Sequence, residues 1–129
     1  MSVSILVVDD EPNVAELYQQ RFSRETRLGR YVSHYAASGA EALDRLAVEI
    51  EPTPVAVLSD IDMPGMDGLQ LLDEIKKRFP DLPVIMVTAY GDGERRRQAA
   101  EYGAADFLNK PVDFEHLKAQ LRQLPGVPD

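Results

Sequence analysis

The feature that most limits the fold is a strict alternation. Short runs of Val, Ile and Leu are each followed by a stretch whose apolar residues recur at helical spacing, five times along the chain. Ser4 to Val8, Tyr31 to Ala36, Val55 to Ser59, Pro83 to Thr88 and Asp106 to Leu108 read as strands. The first, third and fourth of these are apolar almost throughout. A strand apolar at nearly every position is buried on both faces, the condition of a parallel sheet covered by helices. Between the strands, Val14, Leu17, Tyr18 and Phe22 form a stripe behind Pro12, a residue suited to a first helical turn. Ser38 with Glu41 offers a capping box ahead of Leu43, Leu46, Ala47 and Ile50. Leu71, Leu72, Ile75 and Phe79 mark a third helix, and Phe114, Leu117, Leu121 and Leu124 a last one behind Asp113 as N-cap. The segment 92–102, DGERRRQAAEY, has little but alanine to bury and is expected to be the loosest helix.

Strict alternation implies right-handed crossovers and an open, doubly wound α/β sandwich, a five-stranded parallel sheet with helices on both faces. The chain has 129 residues, enough for one such domain over 1–124, with 125–129 as a flexible tail or the start of a linker. Twenty-two acidic against 14 basic residues give a formal charge of -8, which argues against direct nucleic-acid binding. There is no cysteine, so disulfides and thiolate chemistry are excluded. No apolar run reaches membrane-spanning length and no basic-then-apolar leader opens the chain, so no membrane contact and a cytoplasmic location are expected.

Sheets of this kind bind ligands beyond the carboxyl ends of their strands. After the first strand comes Asp9-Asp10-Glu11, after the third Asp60-Ile61-Asp62, after the fourth Thr88-Ala89-Tyr90, and after the fifth Lys110-Pro111. The second strand ends in Ala36-Ala37-Ser38 and offers no chemistry. Four strands therefore converge on an acidic pocket with one lysine.

VVDDEP, SDIDMPGMDG, MVTAY and LNKP, in this order and on these strands, resemble the marks of a response-regulator receiver domain of two-component signalling. The resemblance covers nearly the whole chain. It implies a flavodoxin-like fold with strand order 2-1-3-4-5. It further implies that Asp60 accepts a phosphoryl group from a sensor histidine kinase or phosphotransfer protein, that Asp9 and Asp10 are the acidic pair, that Thr88 and Lys110 complete the site, and that Thr88 with Phe107 forms the switch. Phe107 departs from the tyrosine common in relatives and lacks its hydroxyl. A cis bond before Pro111 is likewise implied. Output would pass through the face of helix 92–102, the last strand and the last helix, to a downstream effector domain or protein or through a phosphorylation-dependent dimer.

The chemistry of the residues agrees with that assignment. A carboxylate can serve as the in-line nucleophile of phosphoryl transfer, forming an acyl phosphate. Several carboxylates crowded together repel one another, and a hard divalent cation, Mg²⁺ or Mn²⁺, relieves that. Asp10, Asp60 and the backbone carbonyl of Asp62 are the expected ligands, with Asp9 acting through water. Lys110 offers a point charge to phosphoryl oxygens and Thr88 a hydroxyl. Tyr90 is expected to cover the pocket and slow attack by water, unless its ring simply faces solvent. Asp9 and Asp10, taken alone, divide between a helix cap with a solvated acid and a metal pair. Asp67 reads as a helix cap, and Arg95 to Arg97 as decoration of a solvated face or, lying next to the output surface, as a contact for an acidic partner. His34 and His116 show no ligand spacing.

Two other readings compete. Asp60-Ile61-Asp62 has the Asp-x-Asp spacing of haloacid dehalogenase phosphatases, in which the second acid protonates the leaving group, although there it normally follows the first strand of a larger chain. DIDMPG also mimics the opening of an EF-hand, but the twelfth position is Leu71 where a bidentate glutamate is needed.

Overall fold

The computed structural model describes residues 3–48, 50, 53–89, 91–125 and 127. Its elements are β1 (Val3–Val8), α1 (Pro12–Arg21), α2 (Ser23–Arg27), β2 (Tyr31–Ala36), α3 (Gly39–Ala47), β3 (Pro54–Asp60), α4 (Gly68–Arg78), β4 (Val84–Thr88), α5 (Gly93–Glu101), β5 (Asp106–Asn109) and α6 (Phe114–Arg122). The strands form one parallel sheet in the order β2-β1-β3-β4-β5, the flavodoxin-like order expected. The strands begin or end within a residue of the expected positions.

Side chains alternate across each strand, so the sheet divides the core in two. Leu6, Val8, Val57 and Met86 face α3, α4 and α5 on one side. Ile5, Val7, Leu58, Ile85 and Val87 face α1 and α6 on the other, where Tyr18, Phe22, Tyr31 and Phe114 form an aromatic cluster with ring centroids 5.1–6.3 Å apart. Leu17 departs from the expected stripe: it is exposed, and Tyr18 and Phe22 carry the burial of that helix end. Helix α2 was not expected. SRETR contains no apolar residue from which a stripe could be read, and tertiary contacts hold it instead, with Glu25 ion-paired to Lys118 of α6 at 3.1 Å.

Caps fall where the sequence places them. Asp67 and Gln70 form a complete capping box, each side chain accepting the other residue's backbone N–H at 2.9 Å. Asp113 and Asp92 cap α6 and α5. At α3, Ser38 accepts from Glu41 N, but the Glu41 carboxylate reaches Ala37 N, one residue before the position a capping box requires.

The turn from β3 into α4 needs its glycines. Gly65 has φ +74°, a conformation that L side chains rarely adopt. At Gly68 a Cβ would lie 2.0 Å from the Asp60 carbonyl oxygen and 2.7 Å from Ile61 Cα, both backbone atoms that cannot step aside. Helix propensity alone favours Ala over Gly by about 1 kcal/mol. We expect the reverse at this site: Gly68→Ala should lower unfolding free energy by about 1–3 kcal/mol, as overpacking does. Gly65→Ala should cost about 1–2 kcal/mol through backbone conformation alone, its surroundings being open. Urea titrations of the two variants read both values.

Candidate functional site

The carboxyl ends of β1, β3, β4 and β5 meet, and each delivers one functional side chain. Asp60 is the last residue of β3 and is 7% exposed. Its Oδ1 accepts the backbone N–H of Ile61 at 2.8 Å, which fixes the carboxylate's orientation. Asp9 follows β1, and its Oδ1 accepts from Glu11 N at 2.9 Å. Asp10 is exposed beside it. Neither acid caps α1, whose N-cap residue is Glu11 without a side-chain bond, so the capping alternative does not hold.

Lys110 leaves the end of β5 and is placed by its own backbone N–H, which donates to the Thr88 carbonyl at 2.9 Å. The Lys110–Pro111 peptide bond is cis. The ammonium lies 2.7 Å from Asp9 Oδ2 and 3.5 Å from Asp60 Oδ2, so its closer partner is Asp9. A cavity of about 380 Å³ opens from Asp9, Asp60 and Lys110 into an apolar interior lined by Tyr18, Val87 and Phe114.

The electrostatics follow from this crowding. Burial pushes the Asp60 carboxyl above its ordinary value and the Asp9 charge pushes it further, while Lys110 and the Ile61 N–H pull it back only in part. Burial alone would depress the Lys110 ammonium, but Asp9, with Asp60 behind it, outweighs that and holds it raised. Carboxylate oxygens of Asp9, Asp10 and Asp60 lie within 4.8 Å of one another. Three hard oxygens at that separation, one on an acid whose ionisation is already opposed, fit a divalent cation that prefers oxygen ligands.

Asp62 is differently engaged. Its carboxylate is held bidentately by Arg95 of α5, Nη1 to Oδ2 and Nη2 to Oδ1, both at 2.7 Å. Thr88 Oγ1 faces the same Oδ2 at 3.4 Å. The Arg95 hydrogen bond, against some burial, keeps Asp62 below the usual carboxylate range. An acid held ionised in this way is a poor proton donor, which removes the second carboxylate that the phosphatase alternative requires. Thr88 itself is fully buried at the end of β4.

Phe107 is buried on β5, its ring covered by the Arg96 guanidinium at 4.7 Å from the centroid. A Cβ at Gly91 would sit 2.7 Å from that ring. Tyr90 lies outside the described residues.

The arginine run departs from expectation at Arg95. Arg96 and Arg97 are exposed, Arg97 pairing with Glu94 and Glu101 of its own helix and Arg96 lying over the Phe107 ring, while Arg95, half-buried, turns to Asp62. No spacing along DGERRRQ reveals the roles of Arg95 and Arg96, because their partners, Asp62 and Phe107, lie on other elements.

A sequence model described as the response regulator receiver domain matches residues 5–122. The chain belongs to the response-regulator receiver family. Among curated proteins, this receiver domain is 39% identical to response regulator protein FleR of Pseudomonas aeruginosa over 131 residues, 98% of this chain and 26% of that one. It is 50% identical to the DNA-binding transcriptional regulator NtrC of Escherichia coli K12 over 86 residues, 67% of this chain and 18% of that protein. The receiver domain thus spans about a quarter or less of the length of these relatives. Among solved structures it superposes with TM-score 0.83 on a CheY-like receiver domain from Methanospirillum hungatei, at 29% identity, covering 95% of this chain and 92% of the other. The signal receiver domain of an HD domain-containing protein from Pseudomonas fluorescens gives TM-score 0.83 at 30% identity, covering 95% and 94%. No helix among the described residues is long and apolar enough to cross a membrane.

The raised Asp60 pKa carries a sign that can be tested without metal. Its folded value lies above its unfolded value, so ionising it costs stability, and that cost grows as pH rises through the interval between the two. In chelator, Asp60→Asn should therefore melt above wild type at pH 7, and the advantage should shrink as the pH falls toward the ordinary aspartate range. Differential scanning calorimetry across that range reads the crossover.

Proposed function

We propose that the receiver domain works as a phosphoacceptor, taking a phosphoryl group onto Asp60 from the phosphohistidine of a sensor histidine kinase or phosphotransfer protein. The observation that carries this reading is the buried Asp60 carboxylate at the end of β3, with the Asp9 and Asp10 oxygens and the Lys110 ammonium gathered around it. A carboxylate oxygen of Asp60 attacks phosphorus, the phosphorus–nitrogen bond of the donor breaks, and its electron pair stays on the imidazole. The product is a mixed anhydride. Water attacking the same phosphorus later restores the carboxylate and releases inorganic phosphate.

Asp10, Asp60 and the Asp62 backbone carbonyl would hold Mg²⁺ or Mn²⁺, with Asp9 acting through water. When bound, the ion supplies positive charge that offsets the carboxylates and the phosphoryl oxygens. Lys110, now paired with Asp9, also serves the phosphoryl oxygens. Thr88 donates its hydroxyl to them and moves inward, and Phe107 repacks into the space vacated, biasing the face of α5, β5 and α6 toward a downstream effector or a phosphorylation-dependent dimer. Tyr90 would modulate access of water. A cytoplasmic location, where such a kinase domain would be met, belongs to this reading.

Two measurements test it. Acetyl phosphate with Mg²⁺ should add one phosphoryl group, seen by intact mass spectrometry in wild type and absent in Asp60→Asn; equal labelling of the variant would refute the assignment. Mg²⁺ alone should raise the melting temperature of wild type continuously, because it binds the folded pocket and not the unfolded chain. A concentration a hundredfold above Kd corresponds to about 2.7 kcal/mol.

A further inference from the structure

We propose that Arg95 is a positioning residue for the phosphoacceptor site, clamping the Asp62 carboxylate over Thr88 so that this carboxylate competes with the phosphoryl group for the Thr88 hydroxyl. The inference rests on the phosphoacceptor role of Asp60 proposed above and assigns a residue of α5 to its regulation.

The geometry is specific. Two parallel N–H···O bonds of 2.7 Å fix the plane of the Asp62 carboxylate, not merely its charge. One of the two clamped oxygens, Oδ2, is the atom that Thr88 Oγ1 faces. Thr88 thus faces the Asp62 carboxylate, while Asp60, which would carry the phosphoryl group, ends the neighbouring strand β3. The pair also spans elements: Asp62 belongs to the loop after β3, Arg95 to the first turns of α5, and they are 33 positions apart. Any inward movement of Thr88 must leave Asp62. A guanidinium is suited to this task because it grips both oxygens at once, which an ammonium cannot do.

The clamp makes predictions that a bare charge does not. Asp62→Asn weakens the competing acceptor and should tighten binding of beryllofluoride with Mg²⁺, a mimic of the phosphoryl group, on the order of tenfold, a typical share for a hydrogen bond to a charged group. Arg95→Ala releases Asp62 from the plane that aims Oδ2 at Thr88 but leaves its charge uncompensated, so binding should tighten less than in Asp62→Asn. Arg95→Lys keeps the charge but loses the fork, and should tighten binding toward the Asp62→Asn value and not match wild type. In a Thr88→Ala background the gain from Asp62→Asn should vanish, because its route passes through the hydroxyl.

Isothermal titration of beryllofluoride into Mg²⁺-loaded protein measures wild type, the three single clamp variants, Thr88→Ala and its Asp62→Asn double variant, with Asp60→Asn as control. Both clamp residues are partly exposed, at 30% and 40% of their side chains, so the variants should keep the fold, which amide exchange of the core strands verifies. Arg95→Lys binding like wild type, or Asp62→Asn tightening equally without the Thr88 hydroxyl, would reduce the clamp to simple electrostatics and overturn the proposal. Failure of wild type to bind beryllofluoride, or binding retained in Asp60→Asn, would instead overturn the phosphoacceptor reading on which it rests.

Discussion

Bringing the carboxylate of Asp60 beside that of Asp9 is the constraint on which the rest of the site depends. Two charges about 4 Å apart interact by about 4 kcal/mol at the effective dielectric of a protein surface, and here both side chains are largely removed from water. Lys110 offsets part of that repulsion, and only because the sheet delivers it: β5 runs beside β4, Thr88 pairs with Asn109, and the next residue donates its backbone N–H to Thr88. On the other side Val8 pairs with Ser59, which sets Asp9 against Asp60. A slip of one residue in either ladder would send these groups to opposite faces. The strand register is thus fixed by the two apolar layers, and the electrostatics of the pocket come with it.

The two helices that flank the site are attached by different physics. Helix α4 buries Leu71, Leu72 and Ile75, each contributing about 1.5–3 kcal/mol, and starts from a complete capping box against the backbone of β3. Of α5 only Ala99 is buried. What ties its first turns to the domain is the Arg95–Asp62 pair and the stacking of Arg96 on Phe107, contacts in the range of about 1 kcal/mol each. A charge added at the pocket can compete with interactions of that size and not with the packing of α4. Rigidity where the phosphoryl group would bind, and looseness where the response would be read, therefore follow from the distribution of apolar residues.

That distribution is what made the fold legible from sequence. Continuous apolar strands and 3.6-residue stripes identify most of the strands and helices, and the residues following each strand identify Asp9, Asp10, Asp60 and Lys110 as neighbours, with Thr88 beside Asp62. Asp67 and Asp113 were readable as caps because capping is a local bond three residues long. The strand order was not in the periodicity; only the family resemblance supplied it. Helix α2 was invisible since its sequence has no apolar face. Arg95 and Arg96 were invisible for a related reason: Arg-Arg-Arg looks the same whether its partners are solvent, a carboxylate 33 positions back or a ring on the next strand. Local patterns reveal elements, and long-range polar pairs emerge only when the elements are assembled.

Consecutive arginines on a helix point about 100° apart, so Arg95 and Arg96 cannot serve the same neighbour. One reaches back to the loop after β3 and the other down to β5, and Thr88, at the end of β4, lies between these two contacts in the sheet order. Phe107 has no hydroxyl with which to favour a buried or an exposed state, so the preference of its ring is set by packing against Gly91 and by the guanidinium above it. In a relative with tyrosine at this position the ring would carry its own polar handle. Here the Phe107 ring lies under Arg96, and the carboxylate that the Thr88 hydroxyl faces is gripped by Arg95; the two arginines are adjacent side chains of a single weakly anchored element. A displacement of α5 would loosen both contacts together, which couples the two switch residues through the helix even without direct contact between them.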